Sequence, residues 1–485
     1  MPDFAGLCRK ASELKAAGQL RQAIAVYRRA LKSAPATGVA EHNLAAALGD
    51  AAEHEEAVRW CNAAIRRGIE APETRLVLAR SLVRLGRFTE AEAAFRDAIR
   101  RRPNMADAHY EFAQLRWMLS GDSASALDPL EQALAVLPGD PGLRLVRARV
   151  LQYTGEVADA CEALIPVLNR WPAEVGLLVP AAQLALDAGQ GAAAEVYAQR
   201  ALALQPQYPE ALKALATAQL AQGKGAEALE TATTLAQLQP LDQHALALIG
   251  TAWRLLGDDR YEALYDYASL VRVYDLEAPK GWQNLPSYLA DLGSVLSDAH
   301  PYLDHPFGQS VRHGSQLPDI LGHPHPAVRA FRAAVTPAIE AHLAHLGKGA
   351  DPLRRRNSGG WDMQGIWSVR LKAGGYHASH VHPQGWLSSA CYIMLPDSIA
   401  SGVGPDQPAS PGTRPGWLSF GAPGSATMPA LAADHHVEPA PGRLILFPSY
   451  VWHGTTPFEN HGSRISIAFD LLPSSGRFPA GMKKT

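Results

Sequence analysis

The sequence holds only four cysteines in 485 residues, Cys8, Cys61, Cys161 and Cys391, and no two of them form a C-x-x-C pair. That argues against a disulfide framework and against a cysteine-based structural zinc site. No run of about 18 apolar residues occurs, so no transmembrane helix is expected. The opening stretch MPDFAGLCRKASELKAAGQL lacks the apolar centre of a secretory signal. Neither sign of charge dominates: 45 Lys and Arg stand against 47 Asp and Glu, a formal net charge of −2. No nucleic-acid or anionic-membrane partner is therefore expected, and the short run Arg354, Arg355, Arg356 reads as a solvated loop. A reducing, cytoplasmic setting fits these absences best.

What is present is ample apolar material, 47% of residues, in a chain long enough for two to four domains. The first half is periodic. Prolines fall at Pro35, Pro103, Pro138, Pro172, Pro206 and Pro240, at steps of 34 or 35 residues after a first step of twice 34. One alanine series runs Ala23, Ala57, Ala91, Ala126, Ala160, Ala194, Ala228; a second runs Ala11, Ala45, Ala79, Ala113, Ala148, Ala182, Ala216, and Gly250 continues it. The one slip lies in the Gly- and Ser-rich stretch SGDSAS. A 34-residue period with small residues at two fixed sites is the tetratricopeptide signature. Each unit is two helices in close approach, and the proline follows the second helix because it cannot continue it. Seven repeats span about residues 4–242, and Ala245–Gly257 reads as a further helix covering the open end. Such a solenoid offers a surface for a peptide or protein partner; the alternatives are that it only makes a homo-oligomer or props up the second half of the chain.

The beat stops after Gly257. DDRYEALYDYASLVRVYDLEAP reads as helix then strand, Leu285–Leu296 as helix, HPYLDHPFGQSVRHGSQLPDILGHP as loop, and Pro326–Leu346 as an amphipathic helix. From Gln364 the period changes from 3.6 to 2: QGIWSVRLKAGG, WLSSACYIML, GWLSF, RLILFPS and RISIAFDLL are strand-like runs split by turns, the pattern of a sandwich or jelly roll. The reading is multidomain: an all-α tetratricopeptide solenoid over 1–257, a helical lead-in over 258–350, and a β domain over 351–485 with flanking helices. A β domain with its own core is expected to keep its site when residues 1–240 are removed.

Three histidines stand out. His380 and His382 form an H-x-H pair whose spacing points both imidazoles to one side of an extended segment. His453 follows 71 residues after His382, at a second strand. Imidazole suits iron, zinc, copper and nickel, and two ligands from one segment with a third from another make a facial site with open positions. Eleven residues on, alternation along RISIAF puts Arg464, Ser466 and Ala468 on one face. A guanidinium beside a hydroxyl is a good receptor for a ligand carboxylate. His377 is a rival ligand. His435 and His436 read as surface or strand-edge residues, Cys391 as core, and Trp417 as core or pocket wall.

The stretch from about Gly360 to Pro473, with SVRL, HVHPQGWLSSACYIMLP, GRLILFPSYVWHGTTPF and RISIAFD, resembles the Fe(II)/2-oxoglutarate-dependent oxygenases, in particular a bacterial family often joined to tetratricopeptide repeats. HPFGQSVRHGSQ is similar to the lead-in of that family. The resemblance implies a double-stranded β-helix of jelly-roll or cupin-like form and iron held by His380, His382 and His453. It implies 2-oxoglutarate bound by Arg464 with Ser466 and helped by Tyr392, and O2 as co-reactant. Arg312 and Gln316 are candidates either to line the substrate entrance or to brace their loop, and Trp386 is a substrate candidate that also reads, like Trp417, as core or pocket wall. One departure is that most such oxygenases carry a carboxylate where this chain has His382; His382 is either a third neutral ligand or stands behind the metal with water in its place. The expected function is hydroxylation of a protein or peptide presented by the repeats. The alternatives are a small-molecule oxygenase whose repeats oligomerise, and a non-catalytic adaptor with a degenerate barrel.

Overall fold

The computed structural model describes residues 3–33, 38–396, 399, 414–458 and 462–474, in two compact units, Met1–Gly155 and Glu156–Thr485. Pro35 of the proline series lies outside the described residues. The first unit is helical: α1 (Phe4–Ala16), α2 (Leu20–Ala30), α3 (Val39–Asp50), α4 (His54–Arg66), α5 (Pro72–Arg84), α6 (Phe88–Arg101), α7 (Ala106–Ser120), α8 (Ser123–Val136) and α9 (Pro141–Thr154). The second opens with α10 (Val157–Arg170), α11 (Val175–Asp187), α12 (Gly191–Leu204), α13 (Pro209–Ala221), α14 (Gly225–Leu238) and α15 (Gln243–Leu256). This is the tetratricopeptide solenoid the periodicity predicts.

Both alanine series are buried throughout, from Ala11 to Ala216 and from Ala23 to Ala228, none more than 2% exposed. A single methyl at these sites lets helix cross helix closely, and a longer side chain would force the pair apart. Pro103, Pro138, Pro172, Pro206 and Pro240 sit two residues past the ends of α6, α8, α10, α12 and α14, where a residue with no amide proton ends the helix. Gly250 takes the place of an eighth alanine for a steric reason: a Cβ there would lie 2.5 Å from the Tyr265 ring.

The rest of the second unit continues through α16 (Arg260–Leu264), α17 (Tyr267–Leu270), β1 (Arg272–Asp275), α18 (Leu285–Ala299), β2 (Val311–Pro318), α19 (Pro326–Leu346), β3 (Gly360–His377), β4 (Leu387–Met394), β5 (Leu418–Phe420), β6 (His435–Val437), β7 (Arg443–Pro448), β8 (His453–Thr455) and β9 (Arg464–Ser474). Two antiparallel sheets result, one in the order β1-β7-β4-β9-β3-β2 and one in the order β6-β5-β8, consistent with a jelly roll. Segment 258–350 is more than a helical lead-in, since it supplies β1 and β2, the two edge strands of the larger sheet. The stretch read as loop contains β2. Its Gly and Pro content masks a strand that exists by pairing along β3, with a register shift between Arg312 and Gly314.

β9 shows how the sheet divides core from site. Ile465, Ile467, Phe469 and Leu471 are wholly buried on the face covered by α18, which packs on β4 and β9, and by α19, whose Phe331 meets Phe469 edge to face at 6.2 Å. Arg464, Ser466, Ala468 and Asp470 therefore share the opposite face.

His300 ends α18 and ties it to two strands, with Nδ1 2.8 Å from the Ser315 hydroxyl and Nε2 3.0 Å from that of Ser368. Burial, with Arg370 nearby, lowers its pKa to about 3. The folded state keeps His300 neutral while an unfolded chain protonates it below its ordinary value, so this stabilisation is full above about pH 6.5 and is lost as pH falls toward 3. The loss at pH 5 is on the order of 2 kcal/mol. Thermal unfolding should therefore show a smaller drop in Tm between pH 7.5 and pH 5 in His300→Gln than in the unsubstituted chain; equal drops would refute this.

Candidate metal centre

The H-x-H segment lies between β3 and β4 and is pinned by main-chain bonds to the start of β8. His380 N–H donates to the His453 carbonyl at 2.9 Å, His453 N–H returns to the His380 carbonyl at 3.0 Å, and His382 N–H donates to the Ser449 carbonyl at 3.0 Å. The approach is close enough to require Gly454, because a Cβ there would meet the His377 carbonyl oxygen at 2.8 Å. From the far side α15 braces both segments: Gln243 N–H donates to the Pro383 carbonyl at 2.9 Å, and Thr251 accepts from the Trp452 indole at 2.9 Å. The helix expected to cap the solenoid is thus part of the wall behind the histidines.

His380, His382 and His453 come together in one cluster. Their ring centroids lie 4.2 to 5.1 Å apart, and each offers a nitrogen within 4.8 Å of the others'. Their hydrogen bonds assign the tautomers. His380 Nδ1 lies 2.9 Å from the Ala378 carbonyl, His453 Nδ1 2.9 Å from the Val451 carbonyl, and His382 Nδ1 2.6 Å from Asp470 Oδ1. Each Nδ1 faces an acceptor and so carries the proton, leaving each Nε2 a lone pair. The His380 and His382 Nε2 atoms are 3.2 Å apart. Two imidazole nitrogens at right angles about one metal, each at about 2.1 Å, would be about 3.0 Å apart. Three converging lone pairs with no proton between them fit a metal ion. Burial, then the neighbouring His382, lowers the His380 pKa to about 3; burial, then His380, takes that of His453 well below its ordinary range. Both rings stay neutral and able to ligate.

A cavity of about 760 Å³ opens onto this cluster. Its lining includes Arg312, Gln316, Trp367, His377, His380, His382, Ala468 and Asp470. Arg312 and Gln316 both line this cavity, and Arg312 also donates to the carbonyls of Gln309 and Val311. Trp386 does not line it: it is wholly buried and donates its indole N–H to the Leu353 carbonyl at 3.0 Å. The tryptophan of the wall is Trp367, edge-on to His382 at 5.9 Å. His377 Nδ1 lies 3.0 Å from the Ser310 hydroxyl, which is also 3.3 Å from His380 Nε2; His377 lies outside the three-histidine cluster.

Arg464, Ser466 and Tyr392 form a second group on β9 and β4, outside the lining of this cavity. Tyr392 and Ser466 are register partners across β4 and β9, and the Arg464 guanidinium carbon sits 4.7 Å over the Tyr392 ring. Arg464 is 2% exposed. It donates Nη1–H to the Gly416 carbonyl at 2.8 Å, its Nε has no hydrogen-bond partner among the described residues, and burial lowers its pKa against the opposing effect of the Tyr392 hydroxyl. A buried cation with no described acidic partner, facing a hydroxyl, fits an anionic ligand.

Besides Trp367, sequence reasoning missed Asp470. A signal for it exists: the alternation that aligns Arg464, Ser466 and Ala468 continues to it.

Residues 365–470, which include all three histidines, Arg464 and Asp470, match the family described as "Putative 2OG-Fe(II) oxygenase". Tetratricopeptide-repeat families match residues 8–72, 76–142 and 185–251. No match is found among curated proteins. Among solved structures, the C-terminal part of a TPR repeat-containing protein from Cytophaga hutchinsonii is 14% identical, covering 50% of this chain and 99% of that one at a TM-score of 0.35. A tetratricopeptide repeat protein from Parabacteroides merdae is 16% identical, covering 51% and 98% at a TM-score of 0.37. The chain thus joins tetratricopeptide repeats to a region, residues 365–470, that matches the family model described as a putative 2OG-Fe(II) oxygenase.

Proposed function

We propose that this chain is an Fe(II)- and 2-oxoglutarate-dependent oxygenase that hydroxylates a protein or peptide brought in by its repeats. The observation that carries the reading is the cluster of His380, His382 and His453, two of which line the cavity, in a domain where β9 also carries a buried guanidinium with no acidic partner among the described residues. His380, His382 and His453 would hold iron. Arg464 and Ser466, with Tyr392 beside them, would hold a carboxylate of 2-oxoglutarate. Iron, 2-oxoglutarate and O2 together supply the oxidation of a substrate C–H bond, and the protein supplies orientation and exclusion of water. The residues support that division of labour: among the described residues, the only carboxylate lining the cavity is Asp470, bonded to His382, while Trp367, Arg312 and Gln316 line it with groups able to hold a substrate side chain. The repeats supply a surface of the kind that binds peptides and proteins.

The test is turnover. Protein given Fe(II), 2-oxoglutarate and air should convert 2-oxoglutarate to succinate slowly without substrate, and His453→Ala should abolish this. Failure of the unsubstituted protein to form succinate, with or without candidate peptides, would end the reading.

A further inference from the structure

We infer that Asp470 is a positioning residue that supplies through His382 the negative charge which the three-histidine set lacks; the inference rests on the metal-holding role proposed above. The three histidines are not equivalent. His380 and His453 present their Nδ1 protons to main-chain carbonyls, which are neutral. His382 presents its proton to a carboxylate at 2.6 Å, a short bond of the charge-assisted kind. That carboxylate oxygen also accepts from the Ser388 hydroxyl at 2.7 Å, and Ser388 is 2.8 Å from the Ser449 hydroxyl. Ser449 in turn accepts the His382 main-chain N–H at 3.0 Å. The side chain and the backbone of His382 are therefore held by one connected set of partners.

The usual non-haem iron set is two histidines and one carboxylate. Here the position of that carboxylate is a histidine, and a carboxylate stands directly behind it. A carboxylate on the far nitrogen fixes the ring's tautomer and angle and makes its Nε2 a better donor, and loss of such a partner typically weakens metal binding 10- to 100-fold. Among the described residues Asp470 pairs with no Lys or Arg and its Oδ1 accepts from His382, so its charge is directed at that ring. The fold delivers it there through alternation along β9, on the face it shares with Arg464.

The experiment is a titration with Co(II), which does not depend on turnover. Asp470→Asn keeps the size and the bond to Ser388 and removes the charge; Asp470→Ser is too short to reach His382. Both should raise the Co(II) Kd about 10- to 100-fold and alter the visible spectrum of the bound ion. On a His382→Ala background, Asp470→Asn should change the Kd by less than about 2-fold, because the ring through which Asp470 acts is gone. An unchanged Kd in both single variants would overturn the inference while leaving the metal site standing, as would an equal loss with and without His382, which would mark Asp470 as a packing residue. If the unsubstituted chain takes up no Co(II), the metal site itself is overturned and this inference with it.

Discussion

Arg464→Ala should raise the Kd for 2-oxoglutarate by about 30-fold or more while changing Co(II) affinity by less than about 3-fold. A charged hydrogen bond to a buried carboxylate is worth about 2–5 kcal/mol when one partner is removed, and about 1.4 kcal/mol is a factor of ten. The described contacts of Arg464 are with Tyr392 and Gly416, and no described hydrogen bond ties it to the three histidines, which is why metal binding should survive. Stability gives an independent reading. A buried guanidinium with no acidic partner among the described residues costs desolvation in the ligand-free protein, and burial does lower its pKa. Arg464→Met should therefore leave the Tm of the ligand-free protein unchanged or raise it. A Tm that falls by many degrees together with unaltered 2-oxoglutarate affinity would make Arg464 a structural residue.

Removal of residues 1–155 should leave Co(II) and 2-oxoglutarate binding close to those of the full chain and reduce turnover of the natural substrate at least about 100-fold. The cut follows a boundary between compact units, and the remaining helices α10–α15 stay with the β domain. Cutting at residue 240, which the repeat period suggests, is a different experiment. It takes away α13, whose Leu220 carbonyl accepts from Met428 N–H at 3.2 Å, and it ends three residues before Gln243, which bonds to Pro383 of the H-x-H segment. If the missing repeats present substrate, slow succinate formation without substrate persists while coupled turnover collapses. If they only oligomerise the protein, the truncated chain becomes monomeric and turns over at the full rate, an outcome that ends the presenting role. Sedimentation together with product analysis separates these outcomes.

The sequence discloses the solenoid almost completely because its constraint is local and repeated. A methyl group is needed wherever helix crosses helix, and Ala11 to Ala228 record that need at a fixed period. The histidines and Arg464 are legible for a similar reason: alternation along a strand converts sequence spacing into a shared face. β2 was not legible, since an edge strand with Gly314 in it carries no alternation of its own and is defined by its neighbour β3. Nor was the placement of Trp386, because a large aromatic beside a histidine motif packs equally well into a core or a pocket, and its indole found Leu353. Asp470 lies on the legible face but is easily missed. A carboxylate in an apolar run reads as a strand end, and only the 2.6 Å contact with His382 gives it a task.

The most direct test of the whole account is anaerobic titration of the full-length protein, first with Fe(II) and then with 2-oxoglutarate. One Fe(II) per chain should bind, and 2-oxoglutarate should then bind with a new visible absorption band that appears only when both are present. His380→Ala should remove the metal and the band together. Stoichiometric Fe(II) uptake that persists in His380→Ala, or 2-oxoglutarate that binds equally well without metal and without Arg464, would contradict the account.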